Sequence, residues 1–296
     1  MLFRLNFLVV LTCIVTHNEY MLYYICAMHT FWFLSVYAMM KPLAALNEDS
    51  RVMMVKFVLY TLIVYLLFDV PSLGEVVFSP FKFILGFRNS LHEWMFRAGL
   101  DHYSTLIGML CAFYHPNFEK LLYFLDHGRT NWRDRFITHM IRFGIAFFFI
   151  FIFVIWFKYI FVLPKYEYNK LHPYFSFIPL LTYIYIRNMF AFLRERHSFL
   201  LSWLGKITLE TYISQLHVYL QGNATLLIIY IPGYPLLNFA LSSFIYVFLS
   251  YHLFQLTVHL SAYIIPKDSQ KMIKRMLTGS VWILLSYLTA FSTFPF

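Results

Sequence analysis

Long runs of residues that are apolar on every side alternate along the chain with short stretches that hold most of its charge. A helix needs about 17–25 such residues to cross a bilayer. By that measure the candidate spans are 2–16, 20–40, 52–69, 103–125, 139–163, 173–190, 197–220, 236–264 and 279–296. The first is short, and "HPN" at 115–117 interrupts the fourth. Residues 75–102 fit neither a span nor a soluble segment. There "VVFSPFKFILGF" is followed by "HEWMFRAGLDHY", which reads as a pair of re-entrant or interfacial helices. The pattern predicts an all-α fold: a polytopic transmembrane helix bundle with re-entrant or interfacial helices. No internal repeat, Gly/Ser linker or low-complexity tract divides the chain, so residues 1–296 are expected to form a single transmembrane domain.

Composition excludes the soluble alternative. The chain is 60% hydrophobic with mean hydropathy +0.65, and its 23 basic and 14 acidic residues are too few to cover that much apolar surface. The opening "MLFRLNFLVVLTCIVTH" has no small-residue cleavage site and another apolar run follows at once, so it reads as a first span rather than a signal peptide. Cys13, Cys26 and Cys111 lie inside apolar stretches and show no disulfide or metal-ligand spacing.

The net charge of +9 is spread in clusters that flank the spans, which is not a nucleic-acid footprint. With a cytosolic N-terminus and one crossing per run, every Lys and Arg except Lys82, Arg88, Arg97, Lys120, Lys158, Lys165 and Lys170 falls on the cytosolic side. The positive-inside rule therefore supports this orientation. It places the glycosylation sequon at Asn223 in a lumenal loop, and residues 70–102 at the lumenal boundary.

Two polar stretches stand out in so apolar a chain. "LHEWMFRAGLDHYSTLIGMLCAFYHP" carries His92, Glu93, Arg97, Asp101, His102 and His115. In a helix over 91–103, Glu93, Arg97 and Asp101 share one face. They form either an ion-pair ladder on an interfacial helix or the polar wall of a site, with Arg97 orienting an anionic group. Ionisable groups at membrane depth cost about 2.5–3.5 kcal/mol each on insertion scales, so their clustering asks for a role. The second stretch, "LGKITLETYISQLHVYL", sets Lys206, Glu210, Ser214 and His217 on one helical stripe. Glu210 is either a protonated packing residue or a proton acceptor, and His217 either a core histidine or an acid–base group. His29, His252 and His259 stand alone in apolar runs and read as packing residues, and His172-Pro173 as a helix start. The loop "DHGRTNWRDR" offers Arg129, Arg133 and Arg135, either as a positive-inside anchor or as a phosphate clamp for a cytosolic donor. P-loop, GxGxxG, GxSxG, HxxxxD, DxD and zincin signatures do not occur.

Together these two stretches resemble the Cas1-type ten-transmembrane acyltransferase family, whose members include the animal sialic-acid O-acetyltransferase, the fungal capsule O-acetylation protein and the plant wall-acetylation proteins. The likeness runs from "RLNFLVVLTCIVTHNEYMLYYICAMHTFWFLSVYA" to about residue 265, and His102 departs from it where Arg is expected. The resemblance implies a Golgi membrane O-acetyltransferase that moves acetyl from cytosolic acetyl-CoA to a lumenal sugar hydroxyl such as that of sialic acid, directly or by relay to a lumenal SGNH-hydrolase-like domain. The animal enzymes carry that domain before the membrane part. This chain has no GDS block, so it reads as the membrane part alone, the C-terminal part of a longer protein or a separately encoded half. The expected partners are membrane lipids, acetyl-CoA, the sugar acceptor and such a lumenal domain, with no metal and no nucleic acid. Among the positions that match the family's motifs are His92, Glu93, Arg97, Asp101, His115, Glu210 and His217. The polar stripe and the orientation then suggest that His92, His115 or His217 acts as general base or transient acyl carrier in one shared cavity bounded by Glu93, Arg97, Asp101 and Glu210, with the cytosolic Arg129, Arg133 and Arg135 docking the donor. A transporter or channel for a small anionic or acyl-bearing solute is the alternative from another class.

Overall fold

A computed structural model describes residues 2–18, 20–85, 90–127, 131–221 and 226–293. In chain order the helices are α1 (Leu2–Thr16), a 3₁₀ turn (Tyr20–Tyr23), α2 (Tyr24–Met40), α3 (Ser50–Phe68), α4 (Leu73–Leu85), α5 (Ser90–Gly99), α6 (Ser104–Asp126) and α7 (Trp132–Trp156). They continue with α8 (Lys165–Phe175), α9 (Phe177–Asn188), α10 (Ala191–Arg194), α11 (Phe199–Lys206), α12 (Thr208–Val218), α13 (Pro235–Ile264) and α14 (Ser269–Thr293). Leu220 and Leu227 make an isolated β-bridge, and no strand occurs among the described residues. Among the described residues, four helical stretches are long and apolar enough to cross a membrane: Tyr20–Met40, Ser50–Phe68, Trp132–Phe161 and Pro235–Ile264. The chain is an all-α, multi-pass membrane protein, as its hydropathy pattern predicts.

Two compact units are formed, Met1–Cys26 with Phe199–Phe296, and Ala27–Ser198. In the first, Leu5, Leu8 and Val9 of α1 pack with Tyr23, Cys26 and Ile213 in one buried cluster. The α13 helix turns Ser242, Ser250 and Thr257 inward, all buried, and small residues of this kind let helix backbones approach closely where no hydrophobic force favours one apolar contact over another.

The second unit has its core where Trp32, Met53, Phe57, Tyr60, Val64 and Met109 meet. Lys56, mid-run in sequence, is 7% exposed. Its ammonium donates to the Pro42 carbonyl and to Asn47 Oδ1, both at 2.6 Å, next to the end of α2, so a span carries its charge fully hydrogen-bonded. The α4 and α5 helices, 13 and 10 residues long, cover about 20 and 15 Å, too little to cross a bilayer. Their sequence is amphipathic: Leu91, Trp94 and Ala98 of α5 are buried while His92 and Glu93 are exposed. Gly74 is needed where α4 begins, because a Cβ there would stand 2.1 Å from the Leu67 carbonyl oxygen.

Three expectations are corrected. The α6 helix runs unbroken through His115 and Pro116. Pro116 forfeits one backbone bond, but in lipid the remaining carbonyls and N–H groups still have no better partner than the helix itself. The apolar run 197–220 is not one helix: it breaks at Ile207 into α11 and α12, leaving Lys206 at the end of the first and Glu210 in the first turn of the second. The run 173–190 breaks likewise, at Ser176, and Pro173 lies inside α8 rather than at the start of a span.

Candidate active-site residues

In the first unit, the break at Ile207 gives Glu210 the start of a helix, where the aligned peptide dipoles favour a carboxylate. Glu210 has no exposed surface. Its Oε1 accepts a hydrogen bond from Thr257 Oγ1 at 2.7 Å and lies 3.5 Å from Arg4 Nε. Arg4 Nε and Glu210 Oε2 have no hydrogen-bond partner among the described residues, so charge, not a formed hydrogen bond, holds the pair together. The Arg4 guanidinium also sits 5.3 Å over the Phe254 ring.

One turn along α12, Ser214 Oγ donates to the Glu210 carbonyl at 2.7 Å and meets Ser250 Oγ at 2.6 Å. Three residues further, His217 Nε2 is 2.5 Å from the hydroxyl of Tyr23, itself fully buried. Glu210, Ser214 and His217 thus occupy one stripe of α12, at i, i+4 and i+7, and Lys206, on the preceding helix, is not part of it.

The opening stretch belongs to the second unit. Here α5 ends at Gly99, so Glu93 and Arg97 share its face and Asp101 does not. Arg97 Nε bonds Glu93 Oε1 at 2.6 Å. His92, with 85% of its side chain exposed, is 3.1 Å from Glu75. His115 Nδ1 is 3.7 Å from Glu119 and its side chain is 63% exposed. Asp101 instead meets α8: its Oδ1 is 3.1 Å from His172 Nε2, and His172 Nδ1 is 2.7 Å from the Tyr168 hydroxyl. His172 is therefore more than a helix start, because it links a carboxylate to a phenol.

Beside it, Asp69 at the end of α3 accepts hydrogen bonds from Tyr103, at 2.9 Å, and Tyr174. His102, 3% exposed, lies 3.3 Å from the same carboxylate. Eleven residues long and rich in charge, α8 is not a spanning helix. On it Tyr174 is pushed up to about 12, chiefly by its hydrogen bond to Asp69 and next by burial. Tyr168 is raised by burial and by the Asp101 charge.

A cleft of about 740 Å³ opens between α6, α7 and α9. Its walls are mainly aromatic and aliphatic, with Cys111 and His115 along α6 and Asp126, Asn188 and Arg194 at one end. Asp126 there binds two guanidiniums, that of Arg142 at 3.1 Å and that of Arg194. Arg133 and Arg135 lie in the first turn of α7, while Arg129 and Asn223 lie outside the described residues. His29, His252 and His259 are exposed rather than packed inside. No group of three or more His, Cys, Asp or Glu able to hold a metal occurs among the described residues.

Arg4, Tyr23, Asp69, Thr257 and His172 enter these constellations without a motif to announce them. For Arg4 and Lys56 the signal was there to be read: a cation inside an apolar run must find a partner.

These features define a class: a polytopic helical membrane protein that keeps acids, imidazoles and a guanidinium inside its helix packing. The chain belongs to the family described as the 10 TM acyl transferase domain found in Cas1p, whose family model matches residues 1–277. It is also 32% identical over 295 residues to the N-acetylneuraminate (7)9-O-acetyltransferase of Danio rerio, a match that takes in 96% of this chain. The chain spans about 37% of the length of that curated relative. No solved structure matches it.

Proposed function

We propose that this chain is the membrane part of an O-acetyltransferase of the Golgi, moving acetyl from cytosolic acetyl-CoA to a lumenal sugar hydroxyl such as that of sialic acid. The acetyl group leaves directly or through a lumenal hydrolase-like domain. Membership of an acyltransferase family and likeness to a sialate O-acetyltransferase support the reaction class. The observation that carries the reading is the His217–Tyr23 pair on the same helix stripe as the wholly buried Glu210. Tyr23 holds Nε2 of the imidazole, which leaves Nδ1 to take the proton of an attacking hydroxyl. That oxygen bonds the thioester carbonyl carbon, the carbon–sulfur bond breaks, and the proton returns to the departing thiolate. Glu210, balanced by Arg4, sets the charge of the helix that carries the histidine. Arg133 and Arg135, with Arg129, bind the phosphates of the donor.

The test is acetyl transfer in membranes containing the chain, followed as coenzyme A release and as esterified sugar. His217→Gln and Glu210→Gln at wild-type expression are expected to slow it by about 10²-fold or more, the usual weight of an acid–base group. Wild-type rates in both would remove them from the chemistry. Solute flux without coenzyme A release would favour a transporter instead.

A further inference from the structure

The turn from α13 into α14, within the first unit, gathers Lys267, Lys271, Lys274 and Arg275 around a single acid, Asp268. Asp268 is spent on capping α14. Its Oδ1 accepts the Gln270 N–H at 3.0 Å, and its carbonyl accepts the Met272 N–H at 2.9 Å. Its Oδ2 lies 3.9 Å from Lys271 Nζ, but the two side chains are 51% and 71% exposed, so water screens the pair and it holds little. Arg275 is spent as well. It donates to the Tyr263 carbonyl near the end of α13, and its guanidinium stands 4.3 Å over the Tyr263 ring, so it fastens the two helices together. The ammoniums of Lys267, Lys271 and Lys274 remain, on exposed side chains. Lys271 and Lys274 share one face of α14, Lys267 stands just ahead of the helix, and Met272, Ile273, Met276 and Leu277 take the other faces. Beyond Thr278 the helix is largely apolar all round, with Val281, Ile283, Leu284 and Leu288 exposed, the surface of a helix that faces lipid. The lysines therefore stand at headgroup level, and the positive-inside orientation puts them at the cytosolic face.

Charge complementarity identifies the partner. A headgroup with a single net negative charge satisfies one ammonium and leaves two. A phosphoinositide adds to its phosphodiester a phosphate monoester of about −1.5 to −2 charge at neutral pH, with three strong acceptor oxygens, and so answers all three. Lysine suits this task, because its charge sits on a flexible stem that can reach phosphates pointing in different directions. We propose that Lys267, Lys271 and Lys274 bind the headgroup of a phosphoinositide in the cytosolic leaflet, while the apolar length of α14 lies beside its acyl chains. The site uses none of the polar stripe of α12 and stands whether or not the chain transfers acetyl.

The test is fluorescence anisotropy of phosphatidylinositol 4-phosphate with a labelled acyl chain, titrated with the purified chain in an uncharged detergent. Unlabelled phosphatidylinositol 4-phosphate is expected to displace the probe at least tenfold better than phosphatidylinositol or phosphatidylserine, and better than the free headgroup inositol 1,4-bisphosphate. Lys267→Gln, Lys271→Gln and Lys274→Gln should each weaken binding about fivefold, and together about 100-fold, the weight of three lysines at an anionic surface. The three side chains are exposed and Gln keeps the helix propensity of Lys, so the triple variant should elute and unfold as the wild type does. Lys41→Gln with Arg51→Gln removes basic residues from another cytosolic flank and should leave binding unchanged. The wild type alone gives a further reading: raising the salt from about 0.1 to 1 M, which shortens the screening length from about 10 to 3 Å, should weaken binding. Equal displacement by phosphatidylserine, or an equal loss in the Lys41, Arg51 variant, overturns the site and leaves an ordinary basic flank. Equal displacement by inositol 1,4-bisphosphate overturns the lipid in favour of a soluble phosphate. Affinity indifferent to salt and to all three lysines overturns the proposal outright.

Discussion

Tyr23 and His217 meet at 2.5 Å, Oη to Nε2, across 194 residues of sequence. Tyr23 belongs to the 3₁₀ turn after α1 and is wholly buried among Leu5, Leu8, Val9, Cys26 and Ile213, while His217 closes the polar stripe of α12. A phenol both donates and accepts. It can therefore serve either tautomer of the imidazole: donating to a bare Nε2, or accepting from Nε2–H when Nδ1 holds the lone pair.

Replacing Tyr23 by Phe keeps the ring in its cluster and removes only the hydroxyl. Loss of one hydrogen bond to a half-buried partner is expected to cost about 1 kcal/mol of stability. Its effect on acetyl transfer should be larger, about tenfold or more, because His217 loses the group that fixes its ring. Rates measured against pH separate the two roles. A positioning tyrosine shifts the profile as well as its height, whereas a merely structural one lowers the amount of folded protein and leaves the profile in place.

Much of this was legible in the sequence. The spans at 20–40, 52–69 and 236–264 follow from hydropathy alone, since a bilayer demands length and apolarity and little else. The amphipathic pair α4 and α5 was legible because polar residues recur on one face. The break at Ile207 was not, because "GKIT" contains no proline and sits in an apolar run. Pro116 misled in the opposite direction, since the helix passes through it. Tyr23, one tyrosine among 23, carries no local mark at all, and its role comes from packing over a separation that no periodicity reaches.

The Arg4–Glu210 pair makes a coupling prediction. Glu210→Leu removes the acid and strands a guanidinium that is only 21% exposed. Breaking a buried pair from one side costs about 3–5 kcal/mol, less here because Arg4 keeps some contact with its surroundings. Arg4→Leu strands the carboxylate, which is fully buried, and should cost at least as much. The double variant Arg4→Leu, Glu210→Leu leaves no unpaired charge and is expected to recover part of the loss. Thermal unfolding of the four proteins in detergent gives the interaction term, and strict additivity would show that the two charges do not sense each other.

Arg142 ties α6 to α7. It donates to the Leu125 carbonyl at 2.5 Å and to Asp126 at 3.1 Å, and it stacks 4.9 Å from the Phe190 ring centroid. Its substitution by Leu removes the bond that closes the end of α6 and leaves Asp126 with Arg194 alone. The expected loss is about 2–3 kcal/mol, read as a lowered unfolding midpoint. Arg142→Lys should recover only a part, since an ammonium cannot span both acceptors in the geometry of a planar fork.

Asp69 predicts an alkaline limit to stability. It accepts from Tyr103 and Tyr174 together, and Tyr174 is raised to about 12. Below about pH 10, the ordinary phenol value, Tyr174 is protonated whether the chain is folded or not, and its bond to Asp69 contributes in full. Above that pH the unfolded chain loses the phenolic proton first, while the carboxylate beside it keeps the folded chain protonated. The unfolded state then binds fewer protons than the folded one, so stability falls as pH rises toward 12. Unfolding midpoints of the wild type in detergent should hold from pH 8 to about 10 and then decline. Tyr174→Phe should start lower and decline less steeply over the same range. An equal slope in both proteins would show that the Tyr174–Asp69 bond contributes nothing to folding.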